Sequence, residues 1–134
     1  MSKKIFVNLP VADLPKSMAF FKALGYSFNP QFTDDTAACM VISEDIYAML
    51  LTHAKFKSFI PNAIADARKT TQVLIALNFD SREEVAAMVA KAVAAGGNTY
   101  SEPQDHGFML QHGFQDLDGH IWEIFWMDPS AVNG

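Results

Sequence analysis

Ile5-Phe-Val-Asn-Leu-Pro-Val-Ala-Asp-Leu-Pro-Lys-Ser-Met-Ala-Phe-Phe21, followed shortly by Leu24-Gly25, is the stretch whose reading decides the fold. Its first seven residues mix β-branched and aromatic side chains in period-two alternation, which is the pattern of a strand with one covered face. Asp13 then supplies a helix cap, and a proline in the first turn costs no hydrogen bond there. Leu14, Met18, Phe21 and Leu24 recur at three- and four-residue spacing, so the helix should span about Leu14 to Leu24, with Gly25 at a left-handed C-terminal cap. Three strand-like runs follow, Tyr26 to Phe32, Ala37 to Ile42 and Tyr47 to Thr52, separated by acidic and serine turns.

The order then repeats. Gln72 to Phe79 reads as a strand, Ser81 to Glu84 as a capping box, and Val85, Met88, Val89 and Val93 as a helical stripe closed by Gly96-Gly97. Strand candidates at Asn98 to Ser101, Gly107 to Phe114 and Ile121 to Met127 complete the half. A spacing of roughly 70 residues between corresponding helices makes a duplicated unit the economical reading. The predicted class is α+β: two strand-helix-strand-strand-strand (βαβββ) modules, about residues 1–53 and 71–128, joined by a structured linker over about 54–70.

The 134 residues suffice for one self-supporting domain, and a half-hydrophobic composition with 11 phenylalanines describes an aromatic-rich interior. A single cysteine, Cys39, allows no intrachain disulfide and no cysteine-held zinc, and without a basic neighbour it reads as an inert buried thiol. The lysines after Met1 precede no apolar run of signal-peptide or membrane-spanning length, so a cytoplasmic protein that does not enter the membrane is expected. A formal net charge of −5 with scattered basic residues argues against nucleic-acid binding. Phosphate-binding glycine loops, a serine elbow and a helical His-x-x-x-His pair are absent from the sequence.

Two motifs carry a family resemblance. Asn8 to Phe21 with Leu24-Gly25 resembles the opening strand and helix of the vicinal-oxygen-chelate (VOC) superfamily, the glyoxalase, bleomycin-resistance and extradiol-dioxygenase group. Asp116-Leu-Asp-Gly-His-Ile-Trp-Glu123 is similar to that group's D-P-D-G-x-x-x-E turn and last strand, with Leu117 where proline is usual. The resemblance implies curved mixed sheets enclosing a pocket, a homodimer, and metal ligands on the first and fourth strands of each module. Those positions fall at Phe6, about Leu50, Leu74 and Glu123, of which only Glu123 is a ligand type. Apolar side chains cannot hold a divalent cation. Even-numbered register shifts would bring Asn8 and Gln72 in place of Phe6 and Leu74, leaving at best a weak site for a hard divalent cation on Glu123.

Phe6, Asn8, Leu50, Gln72, Leu74 and Phe125 are therefore expected to line the pocket. Glu123 is open to two readings: an inherited cavity residue satisfied by Asn8, Gln72 or water, or a general acid or base whose pKa is raised by burial. His112 shares a strand face with Phe108, Leu110 and Phe114 and is either a core histidine or a second catalytic candidate carrying protons in the pocket. His120 reads as a turn residue and His53 as solvated. The functional expectation is a small-molecule-binding protein with a degenerate metal site and no cofactor beyond a divalent metal on Glu123. Its alternatives are a glyoxalase-like lyase or dioxygenase-like enzyme built on Glu123, and a structural module whose pocket is filled.

Overall fold

The computed structural model describes residues 2–133, with side chains to Ala131. Two compact units divide the chain at Asp66 and Ala67. The first holds β1 (Ile5–Val11), α1 (Leu14–Ala23), β2 (Ser27–Asn29), β3 (Ala37–Val41), β4 (Ile46–Thr52) and α2 (His53–Lys57). Its sheet runs in the order β1-β4-β3-β2, with β1 parallel to β4 and the other pairs antiparallel. The linker contributes the single short helix α2, which packs on β1 and β4 within this unit.

The helix start is as the sequence predicts. The Asp13 carboxylate accepts from the Lys16 backbone N–H at 3.1 Å, and Gly25 closes the far end at φ 105°. Leu14, Ser17, Phe20 and Phe21 form the buried face of α1, with Met18 at its margin. They cover Leu9, Val11, Ala38, Met40, Ala48 and Leu50, all excluded from solvent. Each fully buried aliphatic side chain of this kind contributes about 1.5–3 kcal/mol. The predicted strand over Tyr26 to Phe32 is cut short at Asn29, because Pro30 cannot donate to a ladder and opens a 3-10 turn over Pro30–Phe32.

The second unit has the same plan: β5 (Leu74–Asn78), α3 (Arg82–Ala94), β6 (Gln104–Asp105), β7 (Met109–Gln115), β8 (Ile121–Met127) and the terminal helix α4 (Pro129–Asn133). The sheet order is β5-β8-β7-β6, again with one parallel pair, β5 and β8, and neither sheet closes on itself. Ser81 Oγ accepts from the Glu84 N–H at 3.1 Å, while the Glu84 carboxylate reaches back to the Asp80 N–H at 2.9 Å. Val85, Met88, Val89 and Ala92 are the buried face of α3 against Phe114, Trp122 and Ile124. Val93, expected in that stripe, is 46% exposed.

The expected strand Asn98 to Ser101 is replaced by a single bridge from Asn98 to Gln115, and the edge strand forms further on at Gln104–Asp105. Side chains explain the difference. Thr99 Oγ1 donates to the Gly113 carbonyl at 2.8 Å and His112 Nε2 bonds the Ser101 carbonyl at 3.0 Å, so the segment is tied to β7 by side chains instead of a backbone ladder.

Candidate functional site

Each sheet has one face under its long helix and an opposite face that is open over part of its area, closed in the first sheet around Cys39 and Leu51, and register assigns every candidate to one or the other. In the first unit Phe6 lies opposite Tyr47 and the rings stack at 4.7 Å, 9° from parallel. Asn8 is opposite Met49, which is in turn opposite Cys39. The open face thus carries Phe6, Asn8, Cys39, Tyr47 and Met49. Asn8 Nδ2 donates to the Phe6 carbonyl at 3.2 Å.

Leu50 belongs to the other face. It is 0% exposed, on the α1 side with Ala48, because a strand turns successive side chains to opposite sides. The pocket-lining expectation at Leu50 is therefore corrected to Met49, one residue earlier. Cys39 is buried, and burial raises its thiol pKa, as expected of an inert cysteine.

In the second unit Leu74 pairs with Ile121, Ala76 with Glu123 and Asn78 with Phe125. On the other flank of β8, Gln115 pairs with Ile121, Gly113 with Glu123 and Gln111 with Phe125. Leu74, Phe125 and Glu123 consequently share the open face, as the sequence implied. Gln72 precedes β5 and is exposed, outside the strand that would have aimed it.

Glu123 is flanked across the sheet by two residues without reach, Ala76 and Gly113, so its carboxylate rises between small neighbours. Gln111, the diagonal neighbour on β7, donates from Nε2 to Glu123 Oε2 at 2.9 Å. Tyr100 fills the place that Gly113 leaves: a Cβ built on Gly113 would meet the Tyr100 hydroxyl, and would stand 2.9 Å from its Cζ. The phenol pKa is raised by burial and further by the charge on Glu123. Glu123, Gln111 and Tyr100 are thus the polar cluster of this face, bordered by Leu74, Ile121 and Phe125. Gln111 and Tyr100 were not among the sequence candidates. A lone glycine within a predicted strand was the signal available, since it marks close approach by another group.

His112 faces the other way. It alternates with Gln111 and Gly113 and bonds through Nε2 to Thr99 Oγ1 at 3.2 Å and to the Ser101 carbonyl at 3.0 Å. A carbonyl only accepts, so Nε2 carries the proton, and the ring is a latch for the segment that bears Tyr100. The structure places it on the sheet face opposite Glu123, the other catalytic candidate. His120 directly follows the Asp116–Gly119 turn, its carbonyl accepting from the Asp116 N–H, and His53 is exposed.

That turn is organised by Asp116, which is 6% exposed. Its Oδ1 accepts from the Asp118 and His120 N–H groups at 3.0 Å each, and its Oδ2 from Trp122 Nε1 at 3.0 Å. Beside it lies a polar cleft of about 350 Å³ between Arg68, the Gly96-Gly97 helix end and the turn. Its polar groups serve one another: Arg68 donates to the Leu117 carbonyl, and Asn98 exchanges backbone hydrogen bonds with Gln115. The cleft is scaffold for the turn leading into β8. Among the described residues no group of three or more His, Cys, Asp and Glu side chains is placed to hold a metal ion, and no helix is long and apolar enough to cross a membrane.

Comparison with known proteins agrees with this geometry. Residues 3–43 match the family described as bleomycin resistance protein-like N-terminal. The structure is similar to hypothetical protein SA1046 from S. aureus, at 30% identity over 94% of this chain and 95% of that one, with a TM-score of 0.79. A glyoxalase-related enzyme from Fulvimarina pelagi superimposes with a TM-score of 0.78 at 23% identity, over 94% and 88% of the two chains. The fosfomycin resistance protein FosX from Mesorhizobium loti gives 0.70 at 12% identity over 100% and 99%, a likeness of fold. No curated protein sequence matches significantly. With two βαβββ units in order and relatives that span the whole chain, this protein belongs to the vicinal-oxygen-chelate superfamily, the glyoxalase/bleomycin-resistance/dioxygenase group.

Proposed function

We propose that this chain is a small-molecule-binding member of the superfamily whose divalent-metal site is degenerate, and that its ligand is held at the open face around Glu123. The observation that carries the reading is the donor set. The first- and fourth-strand positions are occupied by Phe6 or Asn8, Met49, Leu74 or Ala76, and Glu123. A hard divalent cation takes carboxylate, imidazole or carbonyl donors, and a thioether suits soft ions instead. Of these residues only Glu123 supplies a charged oxygen, and its Oε2 already accepts from Gln111. The residues present do not fit the family's metal.

Without a metal, recognition falls to shape, apolar contact and a few placed polar groups. Phe6 and Leu74, 49% and 53% exposed, offer apolar area on their respective open faces. Pairing with a second copy of the chain is part of the proposal. It is supported by Ile5, Phe6, Val73 and Leu74, which leave large apolar surface on or beside the sheet-edge strands β1 and β5.

A fragment screen read by thermal shift, with hits mapped by amide resonances, tests the binding reading. Hits that perturb Gln111, Gly113 and Glu123 support it, and hits confined to other surfaces overturn it. One observation favours a second reading, a glyoxalase-like lyase or dioxygenase-like enzyme: a phenol and a carboxylate stand together at the site, as proton transfer requires. Turnover of a lyase or extradiol substrate that disappears in Glu123→Gln would establish it.

A further inference from the structure

Tyr100 lies on the segment between α3 and β6, not on a sheet strand, yet its hydroxyl occupies the space of a β7 side chain directly across from Glu123. Facing residues of adjacent strands hold their Cβ atoms about 4.5–5.5 Å apart. The phenol oxygen therefore stands at the Gly113 position across from Glu123, where the carboxylate's charge acts on it. Two restraints seat it there. The missing side chain at Gly113 admits the ring, and the His112 and Thr99 hydrogen bonds hold the residues on either side of Tyr100.

The result is a polar cluster with defined roles. Glu123 is an acceptor whose Oε2 is engaged and whose Oε1 has no hydrogen-bond partner among the described residues. Gln111, having given its N–H to Glu123, presents a carbonyl acceptor. Tyr100 supplies a hydroxyl donor. On the far side of Glu123 stands only the small, exposed Ala76, and Leu74, Ile121 and Phe125 share that face by register.

We propose that Tyr100 and Glu123 form a donor and acceptor pair that binds the carboxamide-type head group (amide, urea or carbamate) of a small ligand, with Leu74, Ile121 and Phe125 taking its apolar body. This rests on the binding reading above. The head group's N–H donates to Glu123 and its carbonyl accepts from Tyr100, so both partners act in their stronger roles. A carboxylate in its place is repelled by Glu123 and by a chain of net charge −5. An ammonium satisfies Glu123 but meets Tyr100 only as an acceptor.

The experiment is an amide-resonance titration of the full chain with benzamide, benzylamine and benzoate, on wild type, Tyr100→Phe and Gly113→Ala. Benzamide is expected to shift Tyr100, Gln111 and Glu123, and to lose about tenfold in affinity in Tyr100→Phe, the worth of one hydrogen bond at the upper end of the usual range. Gly113→Ala is expected to match that loss, because its methyl group displaces the ring. Benzylamine is expected to bind both Tyr100→Phe and wild type alike, and benzoate to leave the face unperturbed. Benzamide binding that is equal in wild type and Tyr100→Phe overturns the pair while leaving the site in place, as does benzylamine alone shifting the face. Shifts confined to another surface overturn the pair and the site together.

Discussion

Met49 and Glu123 hold the same place in their two sheets. Each lies near the middle of its module's last long strand, and each pairs with the residue, Asn8 or Ala76, that stands five positions ahead of the helix caps Asp13 and Ser81. The duplicated plan puts a thioether where its copy has a carboxylate. The two open faces have accordingly diverged: the first is aromatic and thioether, with Phe6 stacked on Tyr47, and the second carries the polar cluster.

The seat of Tyr100 should reveal itself as coupling. Alanine for glycine in an unstrained strand position ordinarily stabilises by about 0.4–1 kcal/mol through the unfolded chain. At Gly113 that gain is offset by the encounter with the Tyr100 ring and by the Trp122 carbonyl 3.3 Å away. In a urea-denaturation double-mutant cycle, Gly113→Ala and Tyr100→Ala should be non-additive by about 0.5–1 kcal/mol, with the alanine better tolerated once the ring is gone. Additive effects would mean that the ring and the glycine do not compete for one space.

Asp116 should be among the costliest polar residues to replace. Its two oxygens accept from three donors in a buried turn, and the asparagine amide offers one acceptor oxygen and turns an N–H toward a donor. Asp116→Asn is expected to lose about 1–3 kcal/mol, measured by chemical denaturation, with altered Trp122 fluorescence as its signature. A change below a few tenths would remove the turn from the structural core of the second unit.

Acid sensitivity of the first unit should trace in part to Asp34. Backbone and side-chain hydrogen bonds from Thr36, with another from the Ala37 N–H, lower its pKa from the ordinary 3.8. A carboxyl held lower in the folded state contributes stability that is present above its unfolded pKa and lost as pH falls through the folded one. Asp34→Ala should therefore lose stability relative to wild type at neutral pH, and the two curves should converge below 3.8 in acid unfolding followed by circular dichroism. Curves that run parallel through that range would contradict it.

Most of the fold was legible because the signals are local. The Asp13 cap, Gly25 and the Ser81–Glu84 box set both helix boundaries to within a residue or two, and the repeated order gave the duplicated architecture. The site was half legible. Alternation along β8 put Glu123 and Phe125 on one face, but Leu50 was misplaced by one residue, which in a strand means the opposite side. Tyr100 was hidden because its role depends on a segment folding back along β7 over a glycine, a non-local contact that periodicity does not encode. His112 was read on the correct strand and grouped with the right neighbours, Leu110 and Phe114, but its partners Thr99 and Ser101 came from that same unforeseen segment.

The most direct test is metal content. The purified chain, wild type and Glu123→Gln, is dialysed against divalent cations, washed, and assayed for bound metal. A degenerate site predicts metal far below one equivalent in both proteins, with no stabilisation on adding the cations. About one equivalent per wild-type chain, lost in Glu123→Gln and coupled to folding stability as site-bound metals are, would contradict it.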